Sequence, residues 1–198
     1  MILQNALTVP TRAGKGLLFH APPVKHRPLK TTSYNARMAL LGAGVFVFDQ
    51  LTKLAVLNFL PVPYRSEVHV VPGFFRLVHW HNTGAAWSMF QDNSLILAAI
   101  SAVALVVLVL ARARFGANTP LGSLALGLVF GGIAGNLLDR LVHHHVIDFL
   151  YFHLITRSGV EYGFPAFNVA DSAICVGVGL LFLLSWRGPK PASETVAP

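Results

Sequence analysis

The sequence predicts an all-α membrane protein: four transmembrane helices joined to a small β-rich segment on one side of the bilayer. Three observations carry this. Of 198 residues, 54% are hydrophobic and only 12% charged, with a mean hydropathy of +0.60, whereas a soluble domain carries about a quarter charged residues. Four apolar runs are each long enough for a helix to cross a bilayer, which takes about 17–25 residues. The basic residues flank those runs instead of forming a stripe. The net charge of +7 therefore reads as a topology signal and not as a nucleic-acid surface.

The chain divides into a leader, a membrane domain and a tail. Residues 1–37 hold six basic and no acidic residues, and lack an apolar core of signal-peptide length. They read as a flexible cytoplasmic leader. The membrane domain spans 38–186, and 187–198 is a cytoplasmic tail. The first apolar run, 38–60, contains Asp49, Gln50 and Lys53 and stops at Pro61. The second, 94–111, has no charge. The third, 121–138, is uncharged and then meets Asp139 and Arg140. The fourth, 169–186, carries only Asp171. Backbone polar groups in lipid must be satisfied within a helix or closed barrel, so each run is expected to be a helix.

Between the first two runs, EVHVVPGFFRLVHWHN (67–82) alternates in part and is rich in Val, Phe and Trp. It predicts short strands at the membrane surface. The next residues, NTGAAW (82–87), suggest a turn whose small side chains admit a close backbone. Ser123, Gly127, Gly131 and Gly135 recur every fourth residue of the third run, which predicts a seam for close helix approach. Six Lys and Arg in the leader, two in the 112–120 loop and two in the tail place both termini in the cytoplasm. Asp139, Asp148 and Asp171 then gather at the outer face.

The acidic residues sort into two groups. Glu67, Asp92, Glu161 and Glu194 fall in polar connections or the tail. Asp49 has Lys53 one helical turn on and can be neutralised by it. Asp139 has Arg140, or another cation, as an available partner. Asp148 and Asp171 have no adjacent Lys or Arg. Brought together, they would share one proton between an acid and a base acting on one water, as in aspartic proteases. Asp171 also has a plain structural reading, at position N3 of a helix capped by Asn168. Asp148 has no such alternative. His143, His144 and His145 suggest a metal, but without an HExxH pattern or a second ligand cluster no metal is expected. The single Cys175 lies in an apolar run and reads as a packing residue. An ion-coupled transporter is disfavoured, because the acids cluster at one face and no inverted repeat relates the halves. A purely structural subunit would leave Asp148 unexplained.

FDQLTK (48–53), NTGAAWS (82–88), GGIAGNLLDRL (131–141), VIDF (146–149) and FPAFNVADSA (164–173) together resemble the lipoprotein signal peptidase (signal peptidase II) family. The resemblance implies a bacterial inner-membrane aspartyl protease with four spans and an extracytoplasmic β-cradle, working without metal or other cofactor. It implies that the substrates are diacylglyceryl-modified prolipoproteins, met among membrane lipids and cut just before the lipidated cysteine. Asp148 and Asp171 would be the catalytic pair. Asn82, Gly84, Asn136, Asp139, Arg140, Asn168 and Ala170 would shape the site, with Asp49 and Lys53 in support. The chain departs from the family pattern in its long leader and in an extension at TRSGVEYG (156–163), expected to be a loop.

Overall fold

The computed structural model describes residues 31–84 and 93–186. Within them lie four helices, α1 (Thr31–Phe59), α2 (Ser94–Ala111), α3 (Pro120–Val142) and α4 (Val169–Trp186), and four strands, β1 (Glu67–Val71), β2 (Phe75–Asn82), β3 (Val146–Ile155) and β4 (Glu161–Gly163). All four helices are long and apolar enough to cross a membrane. The expected all-α bundle with a small β segment is therefore what the chain forms. Residues 1–30 of the leader, 85–88 of NTGAAWS and the 187–198 tail lie outside the described residues.

The helices depart from the apolar runs at two ends. Helix α1 starts at Thr31, ahead of the first apolar residue of its run. Helix α3 continues past the apolar stretch through Asp139 and Arg140 to Val142. Both extensions begin with polar or charged residues, and hydropathy alone marks where lipid ends, not where the helix does. Thr119 caps α3, its Oγ1 accepting from the Gly122 N–H at 3.0 Å, with Pro120 at the first helical position, where no N–H is needed.

Helix α3 is the centre of the bundle and packs on α1 and α4. The predicted seam makes this possible. A Cβ on Gly131 would lie 2.5 Å from the Gly42 carbonyl oxygen, and one on Gly127 2.9 Å from the Leu41 side chain. Neither contact is tolerable, so α1 sits against bare backbone. Large side chains such as Leu40, Leu54, Val103, Leu110, Phe182 and Trp186 point outward, each more than half exposed, as a bundle dissolved in hydrocarbon requires.

The strands form one antiparallel sheet in the order β1-β2-β3-β4. The pair β1–β2 answers the strand expectation for 67–82. Strand β3 is a further strand outside that segment: VIDFLYFHLI is buried on both faces near its start and lacks the alternation that marks a strand in sequence. The 156–163 extension is not wholly a loop: Glu161–Gly163 pairs with His153–Ile155. A core of Val56, Leu60, Ile147 and Phe149 joins the end of α1 to one face of β3. That contact fixes the sheet to the bundle.

Candidate active site

The site forms where three elements meet: β3 brings Asp148, α4 brings Asp171, and α3 brings Asn136, Asp139 and Arg140. Register decides what Asp148 meets. At its start β2 pairs Phe75 with Phe152 and Leu77 with Leu150, but beyond a bulge it pairs Trp80 with Asp148 and Asn82 with Val146. Side chains alternate along a strand, so the extra residue puts Asn82 on the face of Asp148. Without the bulge Asn82 would oppose His145 and share the face of Ile147. As built, Asn82 Nδ2 donates to Asp148 Oδ2 at 2.9 Å.

The start of α4 sets Asp171. Asn168 Oδ1 accepts from the Asp171 N–H at 2.9 Å, and Asp171 Oδ2 accepts from the Asn168 N–H at 3.3 Å. This is a reciprocal capping box. The other carboxylate oxygen accepts from Asn136 Nδ2 at 2.7 Å. Asp171 is thus the helix-cap residue its position suggested, and its second oxygen is turned to the site. The two readings of the sequence are compatible.

Asn168, fully buried, links the two acids. Its Nδ2 donates to Asp148 Oδ1 at 2.8 Å, while its Oδ1 holds the Asp171 backbone. Asp148 itself is 3% exposed and forms no ion pair among the described residues. Burial and the neighbouring Asp171 charge push its carboxyl above the usual carboxylate range, against hydrogen bonds from Asn82 and Asn168 and the charge of Lys53.

Behind the pair lies a second buried cluster. Lys53 Nζ contacts Asp49 Oδ2 and Asp139 Oδ2, each at 2.8 Å, and donates to Asn136 Oδ1 at 2.9 Å. Asp139 therefore pairs with Lys53 and not with its neighbour Arg140. Successive helical residues project about 100° apart, so adjacent side chains do not face each other. Asp49 Oδ1 accepts from the Ala170 N–H at 2.9 Å, and Asp139 Oδ2 from the Ile147 N–H at 3.2 Å. Asp49 thus holds α4, and Asp139 holds β3. Gly135 leaves room for this: a Cβ there would lie 2.5 Å from Asp49 Oδ2.

Gln50 is a member of this cluster that sequence reasoning passed over. Its Nε2 donates to Asp139 Oδ1 at 3.1 Å and lies 3.2 Å from both Asp49 Oδ2 and the Gly135 carbonyl. The signal was its position beside Asp49 in a run that should be apolar. Arg140 turns the other way and donates to the Gly84 carbonyl at 3.3 Å, while the Gly84 N–H donates to Asn82 Oδ1 at 3.1 Å. Each residue that the resemblance assigns to the site thus joins one connected network. A cavity of about 310 Å³ opens beside Lys53 and Asp139, between α1 and the end of α3, and is lined by neither Asp148 nor Asp171.

The histidine run sits at the α3–β3 turn, with His144 in the left-handed region (φ 61°). His145 stacks on His81, with ring centroids 3.7 Å apart. Among the described residues, no three or more His, Cys, Asp or Glu side chains form a metal-ligating group.

A family model for signal peptidase (SPase) II matches residues 41–187. The lipoprotein signal peptidase of Symbiobacterium thermophilum is 42% identical over 144 residues, 73% of this chain and 90% of that protein. That of Neisseria gonorrhoeae is 37% identical over 171 residues, 83% and 98% of the two chains. A solved bacterial membrane enzyme, determined by the in meso method at 2.3 Å resolution, superposes with a TM-score of 0.69 at 26% identity, covering 82% of this chain and 95% of its own. With its four spans and its buried carboxylates, the chain belongs to the signal peptidase II family, membrane-embedded aspartic endopeptidases that remove the signal peptide from lipid-modified prolipoproteins.

Proposed function

We propose that Asp148 and Asp171 are the catalytic pair, acting on diacylglyceryl-modified prolipoproteins at the outer face of the bacterial cytoplasmic membrane. One observation carries this reading. Two of the buried carboxylates, Asp49 and Asp139, share Lys53, whereas among the described residues Asp148 and Asp171 form no ion pair and are linked through neutral asparagines. The charges of Lys53 and Arg140 reach the pair only through space; carboxylates left so close to lipid without a direct ion-pair partner are costly, and function is the usual reason.

The pair shares one proton. The ionised carboxylate takes a proton from a water between the two, and the resulting hydroxide attacks the scissile carbonyl carbon. The protonated carboxyl donates to the developing oxyanion. Collapse of the tetrahedral intermediate breaks the C–N bond, and the proton first taken from water passes to the leaving amide nitrogen. Asn82 and Asn168 orient Asp148, and Asn136 orients Asp171, so neither carboxylate needs to reorganise during the reaction. Arg140 and Gly84 tie the turn after β2 to α3 and shape the wall, as Ala170 does at the start of α4. Asp49 and Lys53 hold the helices in place. Residues 38–186 make up the peptidase domain, with the leader and tail in the cytoplasm.

The test is cleavage of a diacylglyceryl-modified prolipoprotein by the purified protein in detergent. Wild type should release the signal peptide, and the unmodified precursor should be cut far more slowly. Asp148→Asn and Asp171→Asn should each abolish release in a folded protein, and the double variant should be no worse than either single, because the two act as a unit. Cleavage by Asp171→Asn at near the wild-type rate would return that residue to capping alone.

A further inference from the structure

Strand β2 carries a pair of histidines that the peptidase chemistry does not use. His79 and His81 are two residues apart and so lie on one face of the strand. His79 is 2% exposed, and its Nδ1 lies 2.7 Å from the carbonyl oxygen of Leu60, just past the end of α1. A carbonyl can only accept, so Nδ1 carries the hydrogen and Nε2 keeps its lone pair. That lone pair meets His81 Nε2 at 3.2 Å. The His81 ring is held from elsewhere: it stacks on His145 at an interplanar angle of 23° and meets the edge of Tyr64 at 5.7 Å. The Tyr64 hydroxyl also donates to the His81 carbonyl at 2.8 Å. Both rings are therefore oriented by contacts that leave the two facing nitrogens to each other.

We propose that His79 and His81 form a two-nitrogen binding site for a divalent transition-metal ion of the zinc class. With metal–nitrogen bonds of about 2.0–2.1 Å, two nitrogens 3.2 Å apart subtend roughly 100–105° at the metal, close to the tetrahedral angle zinc adopts. The Nδ1–H to backbone carbonyl contact of His79 is the support that metal-ligating histidines use to fix their tautomer. In the metal-free protein a hydrogen occupies the place of the ion, donated from His81 Nε2 to His79 Nε2. On binding, His81 changes tautomer: Nε2 releases its proton and Nδ1 takes one up, so that the ring stays neutral and both Nε2 lone pairs face the metal. The stacked ring of His145 lies parallel to that of His81 and contributes no third ligand, so water completes the shell. This makes the site an open one, unlike a closed structural zinc centre. Both ligands lie on β2 next to Asn82, with His79 anchored to the Leu60 carbonyl, and occupation of the site should stabilise the folded chain, independently of the proposed function.

The experiment uses the full chain, purified in detergent through a tag without histidines, stripped with chelator and exchanged into chelator-free buffer. Zinc chloride should bind in a one-to-one saturable step by calorimetry and raise the thermal midpoint, and magnesium chloride should do neither. His81→Phe keeps a ring against His145 but removes the nitrogen, and should lose both effects. The His143→Ala/His144→Ala variant should keep both. Copper(II) in the wild-type protein should show two imidazole nitrogens by electron paramagnetic resonance, a readout that needs no variant. Absence of saturable zinc binding, retention of it in His81→Phe, loss of it in the His143/His144 variant, or a copper spectrum with fewer than two nitrogens would each overturn the proposal.

Discussion

Replacing Lys53 with methionine removes the cation that two buried carboxylates share. Methionine fills much of the space of the lysine stem, so packing changes little and the effect is electrostatic. Lys53 is 2% exposed and lies 2.8 Å from Asp49 and from Asp139. Leaving one buried charge without its partner costs about 3–5 kcal/mol, and here two carboxylates lose the same partner. The cost should therefore reach at least about 4 kcal/mol, a drop in thermal midpoint on the order of 10 °C for a chain of this length. A double-mutant cycle separates this charge effect from packing. Asp49→Asn alone should destabilise, since it sets an amide against the Lys53 ammonium. In the Lys53→Met background the same change removes an unpaired charge and should be neutral or stabilising. Thermal unfolding of the four proteins in one detergent gives the coupling directly. Additive effects, or a loss in Lys53→Met below about 1 kcal/mol, within the range of ordinary single substitutions, would refute Lys53 as the shared counter-ion.

Gly131→Ala should destabilise by about 1–3 kcal/mol through overpacking, because its Cβ would lie 2.5 Å from the Gly42 carbonyl. Gly44→Ala, which meets nothing within 4 Å, should be neutral or stabilise by up to about 1 kcal/mol, and parallel melts of the two compare them. Reporter fusions at the C-terminus and within residues 61–66 should give opposite sidedness; a C-terminus found outside would reverse the placement of the site. Stability should also depend on pH through Asp148. Its folded-state carboxyl titrates above the ordinary range, so inside that window the folded chain holds a proton the unfolded chain has released. The contribution is fully present below the ordinary carboxylate value and is lost as pH rises through the raised one. Melts of wild type and Asp148→Asn across the range should show the stability of wild type relative to the variant falling with rising pH, and a flat or rising difference would contradict the shift.

What the sequence exposes is whatever acts over short range. The four spans stand out as uncharged runs, and Asp49–Lys53 as a pair one helical turn apart. The capping of α4 by Asn168 is equally local. What it conceals depends on the fold. Asp139 finds Lys53 on a helix more than eighty positions away, while the adjacent Arg140 turns toward Gly84. Strand β3 is hidden because both of its faces are covered near the site, which removes the alternation that marks a half-exposed strand. The bulge in β2 that aims Asn82 at Asp148 leaves no trace in composition, because register is a relation between two strands. Gln50 was visible as a polar residue in a lipid run, and only the position of Asp139 explains it.

The capping box at the head of α4 has a consequence for biosynthesis. Asp171 takes its place only when Asn168 starts the last helix, and that start is held by Asp49 from the first helix. A nascent chain that has threaded three spans into the membrane carries Asp148 but not Asp171, its partner in the proposed pair. On the proposed pairing, hydrolytic competence would arrive with the final span, after the other three are in place. In that reading the order of translation itself keeps the protease silent during its synthesis, because half of the proposed pair is withheld until the end.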